Sequence, residues 1–179
     1  MDLAVLQAHL SPDDATGVLL KGHLWIETAL VDLIRADLEL PDEWRELERL
    51  PFPSKVALAR AQGTLHLGGE PLLALNAVRN KLAHNLEFEV DSAALARMLK
   101  AFPKVSPEDR AEDPNCAPFL PSTLTPDGQV AAVLREVVLS LLEHIWTLTS
   151  EVLKDRAAKM QRATDRLNAL LQSDTSETE

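Results

Sequence analysis

VAAVLREVVLSLLEHIWTLTSEVL, residues 130–153, is the stretch that decides the fold. Its apolar residues recur three or four positions apart, which is the spacing of one face of an α-helix, whereas a half-buried strand alternates with a period of two. The residues that form this face are Val130, Leu134, Val137, Leu141, Ile145, Leu148 and Val152. The stretch therefore predicts a long helix over residues 127–171 that packs its apolar face on a helical bundle.

The same helical spacing recurs in the first half of the chain. Ser11-Pro12-Asp13-Asp14 supplies an N-cap, a proline suited to the first helical position and an acidic first turn, so a first long helix is predicted over about 12–38. Shorter helices are predicted over about 42–50, 53–65, 71–84 and 91–101. No run of alternating β-branched or aromatic residues accompanies them, and aromatic residues make up only 4% of the chain. We therefore predict an all-α fold, a bundle of four main helices with short accessory helices.

A proline-rich stretch separates the last helix from the others. Six of the chain's 11 prolines lie within residues 103–126, and so many prolines exclude a regular helix and favour an extended surface segment. The predicted organisation is a helical bundle core in residues 1–102, a Pro-rich loop in 103–126 and a long C-terminal helix in 127–171 that completes the bundle. The last residues, 172–179, are predicted to form a disordered acidic tail.

Composition and charge exclude several classes of protein. The chain has 18 Lys and Arg against 28 Asp and Glu, a net charge of −10, which argues against coating nucleic acid by bulk electrostatics and leaves only local contacts. The single cysteine cannot form an intrachain disulfide, the N terminus lacks the basic region of a secretory signal, and no apolar run is long enough to cross a membrane. We therefore expect a cytoplasmic protein without membrane contact.

Phosphate-binding loops, zinc-ligand motifs and the serine-hydrolase motif are absent from the sequence, so no cofactor and no metal are expected.

The hexapeptide RNKLAH, residues 79–84, closes the helix predicted over 71–84. At about 100° per residue, Asn76, Asn80 and His84 form a polar stripe almost opposite the apolar face of this helix. His84 therefore points away from its own core, towards solvent or towards a second subunit. Arg79 lies about 140° from His84 around the same helix, so a compact site needs two copies of the hexapeptide, which a two-fold axis would bring together.

Arg79, Asn80 and His84 match the recurring motif of the HEPN superfamily, in which an arginine and a polar residue precede a histidine, with four to six residues between arginine and histidine. The order of helical segments over about residues 15–100 is also similar to that superfamily. The resemblance implies a helical bundle that acts as a dimeric, metal-independent endoribonuclease, the toxin of a toxin–antitoxin or defence system. It implies RNA as the substrate, a second copy of the chain, and an antitoxin or regulatory protein as a further partner.

The resemblance also implies roles for the motif residues. When RNA is cleaved by its own ribose 2′-hydroxyl, two His84 side chains would supply the general base and the general acid, because histidine changes charge near neutral pH. Two Arg79 guanidinium groups would stabilise the charge of the phosphorane. Asn80 would orient the imidazole or a phosphate.

Two further sets of residues have both a functional and a structural interpretation. His23 and Glu27 lie four residues apart on the first long helix, either as a polar element facing the motif or as a surface pair without chemistry. Basic side chains either hold an RNA backbone or form a solvated charged surface. The basic candidates are Lys81, Lys154, Lys159 and Arg162.

A non-catalytic function is the alternative. The order of segments is also similar to that of mannitol-operon repressor-like proteins, which implies a helical regulatory or interaction protein that uses the same helix as a dimer or partner surface. In that case Arg79, Lys81 and His84 would form a well-capped helix end, since their positive charges complement the dipole at a helix C terminus.

Overall fold

The structure, a computed structural model, describes residues 5, 8–10, 14–41, 45–65, 67–85, 87–113, 117–119 and 129–176; for residues 107 and 169–176 it describes the backbone only. All regular structure within these ranges is helical, which confirms the predicted all-α bundle with a long C-terminal helix. The seven helices in this part of the chain are α1 (Ala15–Leu38), α2 (Glu46–Arg49), α3 (Phe52–Ala61), α4 (Gly69–His84), α5 (Ser92–Lys100), α6 (Pro107–Glu112) and α7 (Val130–Ser176).

Helices α1 and α7 form the main pair of the bundle and run parallel to each other. Near the middle of α1 the two backbones approach so closely that a Cβ atom at Gly22 would lie 2.6 Å from Val138 Cγ2. At the end of α1, Arg156 Nε lies 3.4 Å from Glu39 Oε1. Helix α7 continues from Arg156 to Ser176, and at about 1.5 Å per residue this extends α7 by about 30 Å beyond the end of α1.

Helices α3 and α4 complete the bundle beside α1. After α3, Thr64 Oγ1 donates to Asp37 Oδ2 (2.6 Å), which fixes the connection to α4 near the C-terminal end of α1. Helix α4 then returns towards the N-terminal end of α1, where Asn76 contacts His23. The C terminus of α4, with His84, therefore lies at the opposite end of the bundle from the extension of α7. Helix α5 packs against both α4 and α7.

One continuous apolar core holds these helices together. The core side chains of α1 and α7 follow the predicted spacing of three and four residues, and almost no solvent reaches them. Burial of one leucine or isoleucine side chain contributes about 1.5–3 kcal/mol to the free energy of folding. The apolar faces of α1 and α7 therefore make the largest contribution to the stability of the fold. Trp25 and Trp146 are partly buried against the core, and Trp44 lies outside the described residues. The most deeply buried side chains of the α1–α7 pair are Leu19, Ile26, Leu30, Leu33, Leu134, Val137, Val138, Leu142 and Ile145.

Two helix boundaries differ from the sequence prediction for local reasons. Helix α1 begins at Ala15, because Asp14 caps it by accepting a hydrogen bond from the amide of Gly17 (2.8 Å); Ser11, the expected cap, lies outside the described residues. Helix α3 ends at Ala61, earlier than predicted, and is followed by Gly63 at a φ of 78°, the left-handed region that ends a helix and favours glycine.

The proline-rich stretch and the tail also differ from expectation where they are described. Helix α6 lies within the segment that we expected to exclude a regular helix. Ser106 caps it by accepting from the amide of Asp109 (3.0 Å), and Pro107 occupies the first turn, where its missing amide costs nothing. Helix α7 continues to Ser176, into the predicted disordered tail. Residues 114–116, 120–128 and 177–179 lie outside the described ranges.

Candidate functional site

The motif residues lie along the second half of α4. Arg79 Nη1 donates to Asn80 Oδ1 (3.3 Å), and both side chains are half-buried. His84 lies in the last turn of α4 and is exposed, as its predicted position on the helix requires. Asn80 therefore has the Arg79 guanidinium as a hydrogen-bond partner, and its role towards the imidazole or a phosphate stays a prediction.

Asn76 does not belong to the exposed stripe that the helix angles predicted. Its side chain is only 7% exposed, and its Oδ1 accepts a hydrogen bond from His23 Nε2 (3.1 Å). The physical reason is that α1 covers the first half of this stripe, so the stripe passes from buried at Asn76 through half-buried at Asn80 to exposed at His84. The turn of α4 that precedes the motif is thus held to α1 by a polar contact in the interior of the bundle.

His23 is a buried histidine on α1, only 4% exposed, with its ring centre 4.5 Å from that of Phe52. Its Nδ1 lies 4.0 Å from Glu27 Oε2. Burial lowers the pKa of His23 below its usual 6.5, and this outweighs the opposing effects of the Asn76 hydrogen bond and the Glu27 charge; the positive charges of Arg79 and Lys55 lower the pKa further. His23 is therefore neutral at pH 7. His23 thus lies in the interior of the bundle, whereas Glu27, with a side chain 30% exposed, lies at its edge.

Lys55 is a member of this cluster that sequence reasoning missed. It is 1% exposed, and its Nζ donates to Glu27 Oε1 (2.5 Å) and to the backbone carbonyl of Glu48 (2.9 Å). The available signal was its position on α3, because Lys55 shares a helix face with Phe52 and Ala59, both of which are apolar. A lone charge on an apolar face predicts a buried partner of opposite sign.

A groove of about 370 Å³ opens between α1 and the segment that contains α2 and α3. Leu24 and Val31 form part of its wall, and Arg35 Nη2 donates to Glu48 Oε1 (2.9 Å) across it. Glu27 and Lys55 line the groove as well as contacting the cluster around His23. The polar cluster therefore extends from the interior near Arg79 to an open surface of the bundle.

Of the four predicted RNA-backbone residues, Lys81 lies beside the motif and the other three do not. Lys81 is exposed on α4, next to Arg79 and His84. Lys154, Lys159 and Arg162 are exposed on α7 beyond or near the end of α1, at the other end of the bundle from His84.

Within the described ranges no three His, Cys, Asp or Glu side chains are grouped so that they could hold a metal ion. In the same part of the chain, no helix combines the length and apolarity needed to cross a membrane.

The lowered pKa of His23 predicts a loss of stability on acidification. In the unfolded chain this histidine binds a proton below about pH 6.5, whereas the folded chain resists protonation until a lower pH. The free energy of unfolding should therefore fall as the pH drops below about 6.5 and level off below the folded pKa. Urea denaturation of wild type and His23→Gln across this range tests the prediction: the variant should show a shallower dependence than wild type. Equal slopes for wild type and His23→Gln would contradict it.

The cluster combines groups suited to acid–base chemistry and anion binding. Arg79 presents a guanidinium that donates to Asn80, His84 presents an exposed imidazole, and the contact of His23 with Asn76 holds the turn of α4 that precedes Arg79. Comparisons of the chain with family models, with curated proteins and with solved structures find no match.

Proposed function

We propose that the chain is a HEPN-like, metal-independent endoribonuclease that acts as a homodimer in the cytoplasm, with Arg79 and His84 as catalytic residues. The observation that carries this proposal is the polar cluster behind the motif, in which His23 contacts Asn76 and Lys55 contacts Glu27. Buried polar groups are costly unless they are paired, and a helix end that serves only as a terminus needs no such layer beneath it. A site that must hold α4 in one position against α1 does need it.

The chemistry that these groups support is attack of a ribose 2′-hydroxyl on the adjacent phosphorus. One His84 imidazole removes the hydroxyl proton, and the new bond from the 2′-oxygen to phosphorus forms as the bond to the 5′-oxygen breaks. The protonated His84 of the second copy donates its proton to the departing 5′-oxygen. Arg79 stabilises the negative charge of the phosphorane. The products are a 2′,3′-cyclic phosphate and a 5′-hydroxyl, and each copy supplies one imidazole.

The proposed partners follow from this chemistry. RNA is the substrate, and Lys81 contacts its backbone because it is exposed beside the motif. In a toxin–antitoxin or defence system, an antitoxin would act by covering the exposed end of α4. Lys154, Lys159 and Arg162 are not part of the proposed site, since they lie at the other end of the bundle.

The alternative is a non-catalytic regulatory protein that uses α4 as a dimer or partner surface. The observation that favours it is the groove between α1 and the segment with α2 and α3, where apolar Leu24 and Val31 lie beside carboxylates that Lys55 and Arg35 neutralise. A concave surface of apolar side chains and paired charges suits a protein partner better than a phosphate backbone.

RNA cleavage in the presence of EDTA distinguishes the two functions. The wild-type chain should cut single-stranded RNA under these conditions and leave a DNA strand of the same sequence intact, because DNA lacks the attacking 2′-hydroxyl. Adding an excess of His84→Ala should lower the wild-type rate, since mixed dimers hold only one of the two imidazoles. No cleavage at any pH from about 6 to 8, with a folded protein, would support the regulatory function instead.

A further inference from the structure

Helices α4 and α5 together carry an excess of positive charge, whereas the whole chain has a net charge of −10. Their only carboxylate is Glu70, and it pairs with Arg60 on α3 (2.8 Å), so it does not neutralise the cations of α4 and α5. A local excess of this kind is the only electrostatic contact with nucleic acid that an acidic chain can make. The Lys and Arg side chains of the two helices are Arg79, Lys81, Arg97 and Lys100.

Three of these cations, Lys81, Arg97 and Lys100, form what we call the basic strip. All three side chains are exposed, and within the described ranges none of them forms an ion pair or a hydrogen bond. By contrast, the exposed guanidinium of Arg45 pairs with Glu48 (3.2 Å). Because carboxylates outnumber basic side chains in this chain, neighbouring cations without a carboxylate partner indicate a surface that takes its negative charge from a ligand.

The arrangement of α4 and α5 places the basic strip beside the motif. Residues 85–91 connect the two helices, which contact each other and therefore run antiparallel with adjoining exposed faces. At about 1.5 Å per residue, Lys81 lies about 5 Å from the end of α4, and Arg97 lies about 8 Å from the start of α5. Lys100 follows Arg97 by three residues on the same exposed face of α5. The basic strip therefore begins near the level of the motif and extends along α5 away from His84.

We propose that the basic strip binds the phosphate backbone of single-stranded RNA and leads it to the motif, an inference that takes its ligand from the proposed function. Exposed Lys and Arg side chains hold phosphates without reading the bases, so the strip positions RNA of any sequence. Glu87, Glu89 and Asp91 are exposed in the connection between α4 and α5, and their charges repel a phosphate chain. The backbone therefore leaves His84 over the faces of α4 and α5, where Arg97 and Lys100 contact it.

Binding of an RNA that cannot be cut tests the basic strip separately from catalysis. In a fluorescent single-stranded RNA with 2′-O-methyl groups the attacking hydroxyl is blocked, and its anisotropy reports binding to the full chain. The affinity of wild type should fall as the salt concentration rises from about 50 to 200 mM. Arg97→Gln with Lys100→Gln should weaken binding and reduce the slope of log affinity against log salt concentration by about 1.4, because each phosphate contact with a single strand contributes about 0.7.

A double variant at the other end of the bundle is the matched control. Lys154→Gln with Lys159→Gln removes the same charge and should keep the wild-type affinity and slope. Unchanged binding for Arg97→Gln with Lys100→Gln, or equal losses for the two double variants, would overturn the basic strip. A folded wild type that binds no RNA would also overturn it and would point to an acidic protein as the ligand. Binding that depends on the strip, without cleavage of unmodified RNA, would support the strip and contradict the proposed ribonuclease.

Discussion

His84→Ala is expected to lower the rate of RNA cleavage in EDTA by about 100-fold or more, the usual contribution of a positioned acid or base. The same change should leave the free energy of unfolding within about 0.5 kcal/mol of wild type, because His84 is exposed at the last turn of α4. Initial rates on a labelled single-stranded RNA, with urea denaturation of the same preparations, measure both quantities.

Two variants make the His84 result specific. His9→Ala removes another exposed histidine, in a different part of the chain, and should keep full activity. Arg79→Lys keeps the positive charge but loses the planar donor pair that holds two phosphate oxygens, so it should also be strongly impaired. Full activity of folded His84→Ala would show that His84 takes no part in the reaction. RNKLAH would then be only the C-terminal end of α4.

Glu27→Ala is expected to lower the free energy of unfolding by about 3 kcal/mol. The change leaves the Lys55 ammonium, whose side chain is 2% exposed, without its carboxylate partner inside the bundle. Loss of one member of a buried ion pair is costly because the remaining charge regains only part of its hydration, here from the groove that Lys55 lines. We take the lower end of the usual range because the side chain of Glu27 is itself 30% exposed. Urea denaturation at neutral pH measures the effect.

A double variant and a surface pair serve as controls for Glu27→Ala. Lys55→Met in the Glu27→Ala background should recover most of the lost stability, because it removes the unpaired charge and keeps an apolar stem on the buried face of α3. Glu70→Ala breaks the exposed pair with Arg60, whose nitrogen and oxygen lie 2.8 Å apart, and should cost less than about 1 kcal/mol. Equal losses for Glu27→Ala and Glu70→Ala would show that burial of Lys55 contributes little.

The helices and the exposure of His84 could be predicted from the sequence because both depend on local periodicity. The stripe from Val130 to Val152 specifies a helix by its spacing alone. The position of His84 relative to the apolar face of α4 follows from the rotation per residue. Helix α6 could not be expected from composition, because the effect of Pro107 depends on its place in the first turn and on the Ser106 cap.

The polar cluster could be predicted only in part, because it depends on how separate helices pack. Helix angles place Asn76 on the same side of α4 as Asn80, but they do not say that α1 covers Asn76 and leaves the end of α4 open. The pairing of Lys55 with Glu27 joins residues 28 positions apart and needs the parallel arrangement of α1 and α3. The direction of α4 relative to α7 also places Lys159 and His84 at opposite ends of the bundle. No local sequence pattern predicts that direction.

The ends of the RNA fragments produced in EDTA test the proposed chemistry most directly. If the 2′-hydroxyl attacks with His84 as acid and base, wild type will leave 2′,3′-cyclic phosphate and 5′-hydroxyl ends, and His84→Ala will leave neither above background. Fragments with 3′-hydroxyl and 5′-phosphate ends, or cyclic phosphate ends that persist at the wild-type rate in His84→Ala, would contradict the assignment of this site.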